Sequence, residues 1–133
     1  MSEPKVAKDV AAQEFYRFTE AMDIDTETAL MDEDDQKGFE SNKRKIVSAI
    51  MKGSLVINDD GEPVFTDKTE KVLTFHEPTG ASYKAMDRSK ANENFDKMQG
   101  LMGAITKTNK AHFASMVASD LKVCTAITTL FMV

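Results

Sequence analysis

The sequence predicts an α+β domain, mainly helical, with one small antiparallel β-sheet. Three observations predict it. Apolar residues recur at helical spacing through most of the chain. A central segment, residues 54–75, instead carries β-prone runs around an Asp-Gly turn. The chain also has 133 residues, with 41% hydrophobic and 29% charged content, which suits one soluble domain with a modest core. The expected organisation is an N-terminal helix with an acidic linker (residues 1–36), followed by a helix, a hairpin with a third strand, and a C-terminal helical part (residues 37–133).

The elements follow in order. Residues 1–5 read as a frayed end. From Val6 to Met22, Ala11, Phe15, Phe18 and Met22 share one face of a helix. Asp23 to Asp35 is the most acidic stretch and reads as a solvated linker or a short irregular helix. A second helix is expected over Lys37–Lys52, where Ile46, Val47, Ile50 and Met51 form a stripe. Lys43-Arg44-Lys45 falls on its exposed side. Gly53 then suits the position just past a helix end, where a positive φ costs little.

Leu55-Val56-Ile57 and Val64-Phe65-Thr66 flank Asp60-Gly61, the signature of a hairpin. Pro63 cannot donate to a ladder and fits the start of the second strand. Lys71–Phe75 supplies a third strand. Thr79 or Ser82 caps a short helix holding Tyr83 and Met86. Ala91–Lys107 carries the stripe Phe95, Met98, Leu101, Met102 and Ile105. Gly100 and Gly103 inside it suit close packing or a bend, since each costs about 1 kcal/mol relative to Ala. Thr108-Asn109 breaks the pattern, and a short helix follows with His112, Phe113, Met116 and Val117. Ser119-Asp120 reads as a cap for a last helix, Leu121–Met132. The expected core is Phe15, Phe18, Ile46, Ile50, Phe95, Leu101, Ile105, Phe113 and Ile127.

Function classes narrow in the same way. A net charge of -5 disfavours non-specific nucleic-acid binding, which requires surplus Lys and Arg against phosphates. No apolar run approaches the ~20 residues that span a bilayer. MSEPKVAKDVAAQEF has no apolar h-region, so no secretory signal is expected. The single cysteine, Cys124, cannot form an internal disulfide, which fits a reducing compartment. It reads as a buried inert thiol.

No catalytic or metal residue is expected, and no cofactor. His76 and His112 stand far apart in sequence without a local ligand pair. They read as a strand-end and a helix-surface residue. The twelve-residue registers from Asp23 and Asp32 put Thr28 and Lys37 where a calcium loop requires Gly. An enzyme would have to assemble its site from scattered residues such as His76, Asp87 and His112.

The chain ends on an apolar run, Ala126–Val133. Two readings stand: a C-terminal helix docked on the core, or an exposed patch awaiting a partner. On the second reading Met116, Leu121, Ile127, Leu130 and Phe131 bind an amphipathic client helix. Nine Met residues suit such an adaptable surface, although gap-filling in cores is their commoner use.

From Lys71 onward a pattern repeats a known order. A β-prone run (Leu73, Phe75) enters Glu77-Pro78-Thr79-Gly80, and a helix with Met86-Asp87 follows. A helix then ends in Leu101-Met102-Gly103-Ala104-Ile105-Thr106. Ser119-Asp120-Leu121 leads into a final helix closing with Phe131. The hairpin from Gly53-Ser54-Leu55 to Asp60-Gly61-Glu62-Pro63-Val64 precedes this order. Over roughly half its length the chain resembles the tail assembly chaperones of long-tailed bacteriophages, of the Mu-like prophage type. The likeness rests on pattern and order, and it leaves out the N-terminal helix and acidic linker.

The resemblance implies a non-enzymatic protein of the host cytoplasm, absent from the mature virion. It would bind the tape measure protein and assist assembly of tail tube subunits around it. A homo-oligomer is compatible with this reading, and no nucleic acid or membrane is involved. The alternatives are a structural tail or neck component and a small enzyme.

Overall fold

A computed structural model describes residues 5–87 and 94–132, with side chains except at 85–87 and 94–96. The fold class is the expected one: a helical α+β domain with a small antiparallel sheet. The order is α1 (Lys8–Ala21), a 3-10 turn (Thr28–Leu30), α2 (Glu33–Lys52), β1 (Leu55–Ile57), β2 (Pro63–Thr66), β3 (Val72–Thr74), α3 (Gly80–Asp87), α4 (Asn94–Thr106), α5 (Lys110–Ala114) and α6 (Ala118–Phe131).

α1 forms because its apolar residues fall on one face. Ala11, Phe15, Phe18 and Met22 are all buried. Phe15 stacks edge-on against Phe39 of α2, and Phe18 against Phe131 of α6 at a centroid distance of 5.7 Å. A chain of rings therefore crosses the core from one helix pair to the other, an arrangement that adds to the area term. Lys5 and Val6 are tied down by donating to Met51 O, so the expected fraying does not reach Lys5.

α2 starts earlier than its apolar stripe suggested. Asp32 is the N-cap, accepting from Asp35 N, and Glu33, Asp34 and Asp35 form the first turn. Carboxylates there oppose the positive end of the helix dipole, so part of the acidic stretch is helix and not linker. Gly53 ends α2 with φ 85°, as its position predicted.

The sheet has the order β1-β2-β3, with Leu55 opposite Phe65 and Phe65 opposite Leu73. Leu55, Ile57, Phe65, Leu73 and Phe75 are buried, and Val56 and Val72 face outward. Alternation of period two thus lays one face on the helices. Arg17 of α1 donates to Ile57 O and Asn58 O, both at 2.6 Å, fastening the hairpin end. Gly61 has φ 81°, and a Cβ there would lie 2.3 Å from the Ala21 Cβ. Gly61→Ala is expected to cost about 2 kcal/mol, from the strained φ and the overpacked contact. A urea melt reads this directly, and an unchanged midpoint would contradict the close approach.

α3 opens on a reciprocal cap, Ser82 N to Thr79 Oγ1 and Thr79 N to Ser82 Oγ, the two residues expected for that role. Tyr83 then donates to Phe131 O at 2.9 Å, satisfying a carbonyl at the free end of α6. A Cβ on Gly103 would meet Thr108 O at 2.9 Å, so this glycine permits the tight return from α4 to α5. Asn109 caps α5 through Ala111 N.

α6 begins at Ala118, not Leu121, and its N-cap position is Val117. Ser119 and Asp120 lie inside the first turn, because both side chains are engaged by the β2–β3 turn instead. Every expected core residue with a described side chain is buried; Phe95 lies outside the described side chains, and residues 91–93 of the expected helix lie outside the described residues.

Candidate binding surfaces

α2 and α6 pack against each other antiparallel. Residues 38–42 of α2 lie near 129–130 of α6, and 44–52 near 118–123. The pair carries a cleft of opposite charge at each end.

At one end, the N-terminal turns of α2 meet the C-terminal end of α6. The cleft of about 290 Å³ is lined by Met31, Phe39 and Leu130 with Asp25, Asp34 and Asp35. All three carboxylates are exposed, whereas Phe39 and Leu130 are buried beneath them. Local bonds set this geometry. Gln36 donates to Thr28 O and Met31 O, holding the 3-10 turn over the start of α2. Asp25 accepts from Glu27 N.

At the other end is a larger groove of about 760 Å³ between the C-terminal half of α2, the β2–β3 turn and the first turns of α6. Arg44, Lys45, Lys52, Lys68 and Lys122 line it, and all five are exposed. Its two acids are turned inward. Asp120 accepts from Lys68 N at 2.9 Å. Asp67 accepts from Thr69 N, Thr69 Oγ1 and Lys71 N, and contacts His112 Nε2 at 2.8 Å. Lys68 Nζ donates to Ser119 Oγ. No ion pair found among the described residues involves Arg44, Lys45, Lys52 or Lys122.

Asp67 anchors this region. Burial raises its carboxyl pKa, but hydrogen bonds from Thr69, His112 and the Lys71 backbone outweigh that and hold it below its ordinary value of 3.8. Glu62 behaves likewise. Burial pushes it up, while bonds from Asn58 and His76 and the nearby charges of His76 and Lys107 bring it below 4.5. The histidines are therefore not free surface residues. His76 contacts Glu62 at 2.7 Å and His112 contacts Asp67. Each engages a separate carboxylate, and the Asp87 side chain lies outside those described.

Of the residues expected to capture a client, Ile127, Leu130 and Phe131 are buried, and Met116 and Leu121 pack partly buried against the core. The reading of an exposed C-terminal patch is corrected: the last helix docks on the core, because its apolar residues find Phe18 and the inner face of α2. Of the five, Leu130 forms part of the floor of the acidic cleft. Cys124 is fully buried, its Sγ–H directed at Met116 Sδ. Burial, reinforced by the charges of Asp120 and Asp67, pushes its pKa up to about 12, so it is an unreactive thiol.

No group of three His, Cys, Asp or Glu among the described residues is placed to hold a metal ion. Among the same residues, no helix is long and apolar enough to cross a membrane. Comparison with family models, curated proteins and solved structures found no match.

Both clefts escaped the sequence reading. Asp35, Phe39 and Asn42 do share one helical face, a signal that could have flagged the acidic cleft. For the basic groove, only Arg44-Lys45 formed a visible cluster. Lys68 and Lys122 come from distant segments and join it through the tertiary fold alone.

Proposed function

We propose that this chain is a non-enzymatic tail assembly chaperone that binds an amphipathic helix of a phage tape measure protein and assists tail tube assembly. The observation that supports this reading is the acidic cleft. Its floor of Met31, Phe39 and Leu130 offers an apolar seat, and Asp25, Asp34 and Asp35 form a charged rim. An amphipathic helix with one apolar anchor flanked by Lys or Arg is the natural ligand of such a shape. Met31 in the floor can adjust its rotamers to different anchors. On this reading the protein works in the host cytoplasm and leaves before the virion matures.

Co-expression with the tape measure protein of the same phage tests it. The wild-type chain is expected to keep the client soluble. Asp34→Lys with Asp35→Lys is expected to let the client pellet, while the variant itself still folds to a helical domain. A client equally insoluble with and without the wild-type chain would overturn the proposal. So would many copies of this chain in purified particles by mass spectrometry, which would favour a structural tail or neck component.

A further inference from the structure

The geometry points to a second docking surface: the basic groove between α2, the β2–β3 turn and α6 takes a carboxylate-rich segment of a protein partner. Charge complementarity carries this. Five exposed cations converge on one groove in a chain whose net charge is -5. Asp67 and Asp120 also line the groove but are buried and bonded to the β2–β3 turn, so five exposed cations stand against two buried carboxylates. The surplus of clustered positive charge repels itself, and an incoming anion relieves that repulsion.

The form of the groove favours a protein segment over a nucleic acid. Among the described residues of its lining the one ring is Phe65, which is buried at 1% exposure, so these residues present no platform for stacking bases. The walls instead offer the hydroxyls of Ser48, Thr66 and Ser119 beside Ala118 and Val123. These suit carboxylates set among small apolar side chains. Beyond the groove the chain's charge is negative, so a long phosphate polymer running past both ends would be repelled, whereas a short acidic segment ends within the positive zone. The inference is independent of the chaperone reading, which rests on the opposite end of the α2–α6 pair.

Fluorescence anisotropy tests it, using a labelled Glu/Ala-rich helical peptide as probe and the full chain as receptor. The wild-type protein is expected to bind this peptide and not its Lys/Ala counterpart, with affinity falling as salt rises. Arg44→Glu with Lys122→Glu is expected to weaken binding at least about tenfold, a change of roughly 1.4 kcal/mol. Lys8→Glu with Lys84→Glu, which alters net charge equally but away from the groove, is expected to leave binding unchanged. Circular dichroism melts confirm that both variants fold, since all four residues are exposed.

Three results would overturn the proposal. The first is equal weakening by both variants, which would mean net charge alone acts. The second is tighter binding of a single-stranded RNA or duplex DNA than of the acidic peptide. The third is self-association of the wild-type chain that the groove variant abolishes, which would assign the groove to a second copy.

Discussion

Leu130→Asp combined with Phe131→Asp is expected to unfold the protein, or to lower its stability by at least about 5 kcal/mol. Leu130 is 1% exposed and Phe131 9%. Phe131 meets Phe18 edge-on, and Phe18 packs in turn on Phe15. Two carboxylates placed here would be desolvated, and no Lys or Arg is bonded at this position to receive them. Each unpartnered buried charge costs several kcal/mol, and the lost aromatic and aliphatic packing adds a further cavity term. Against the roughly 5–15 kcal/mol that holds a domain of this size together, the sum leaves little or nothing. Far-ultraviolet circular dichroism with a urea titration reads the outcome. A variant with a melting temperature close to wild type would mean that α6 is not docked as described, and would restore the exposed-patch reading of the chain end. Asp34→Lys with Asp35→Lys sits at the same end of the α2–α6 pair but on its exposed rim, where reversing each first-turn charge forfeits a dipole interaction of only about 0.3–1 kcal/mol. The contrast separates core from cleft.

Much of this architecture was legible because local and tertiary preferences agree. The α1 stripe of Ala11, Phe15, Phe18 and Met22 has no competing reading, and it is buried throughout. Gly53 and Gly61 both adopt the positive φ their places implied. The boundaries that moved did so where side chains chose partners remote in sequence. Ser119-Asp120 has the composition of a cap, yet Asp120 is drawn to Lys68 N and Ser119 to Lys68 Nζ. The helix therefore starts three residues earlier, without a side-chain cap. The acidic run 32–35 looked like solvated linker because its carboxylates mask helical propensity, although they suit the first turn of α2. The clefts were less legible than the fold. A groove is a relation among elements: the sequence displays each of its charges, but nothing local shows that Lys68 and Lys122 stand beside Arg44. The apolar C-terminus carried two consistent readings, and only the position of Phe18 and α2 decides between them.

Asp67→Ala is expected to cost about 3 kcal/mol near neutral pH. Its side chain is 2% exposed and holds together three elements. One oxygen accepts from Thr69 N, Thr69 Oγ1 and Lys71 N, closing the β2–β3 turn, and the other meets His112 of α5. Hydrogen bonds to a charged group are worth about 1.5–3 kcal/mol each where the partners cannot rehydrate fully. Thr69 and Lys71 are exposed enough to recover water, so the total is well below the sum. Asp67→Asn keeps one carbonyl acceptor for the turn and is expected to lose about half as much. The pH dependence separates charge from shape. The folded-state pKa lies below the ordinary 3.8, so at intermediate pH the unfolded chain binds more protons than the folded one. Stability then rises with pH: the contribution of Asp67 is complete above about pH 4–5 and is lost as the pH falls below 3.8 through the folded-state value. Glu62, held below 4.5, adds a loss of the same sign. Urea titrations of wild type and Asp67→Ala, run near neutral pH and at roughly pH 3, should therefore converge as the medium is acidified. A gap that stays constant would show that the ionised carboxylate is not what secures the turn to α5.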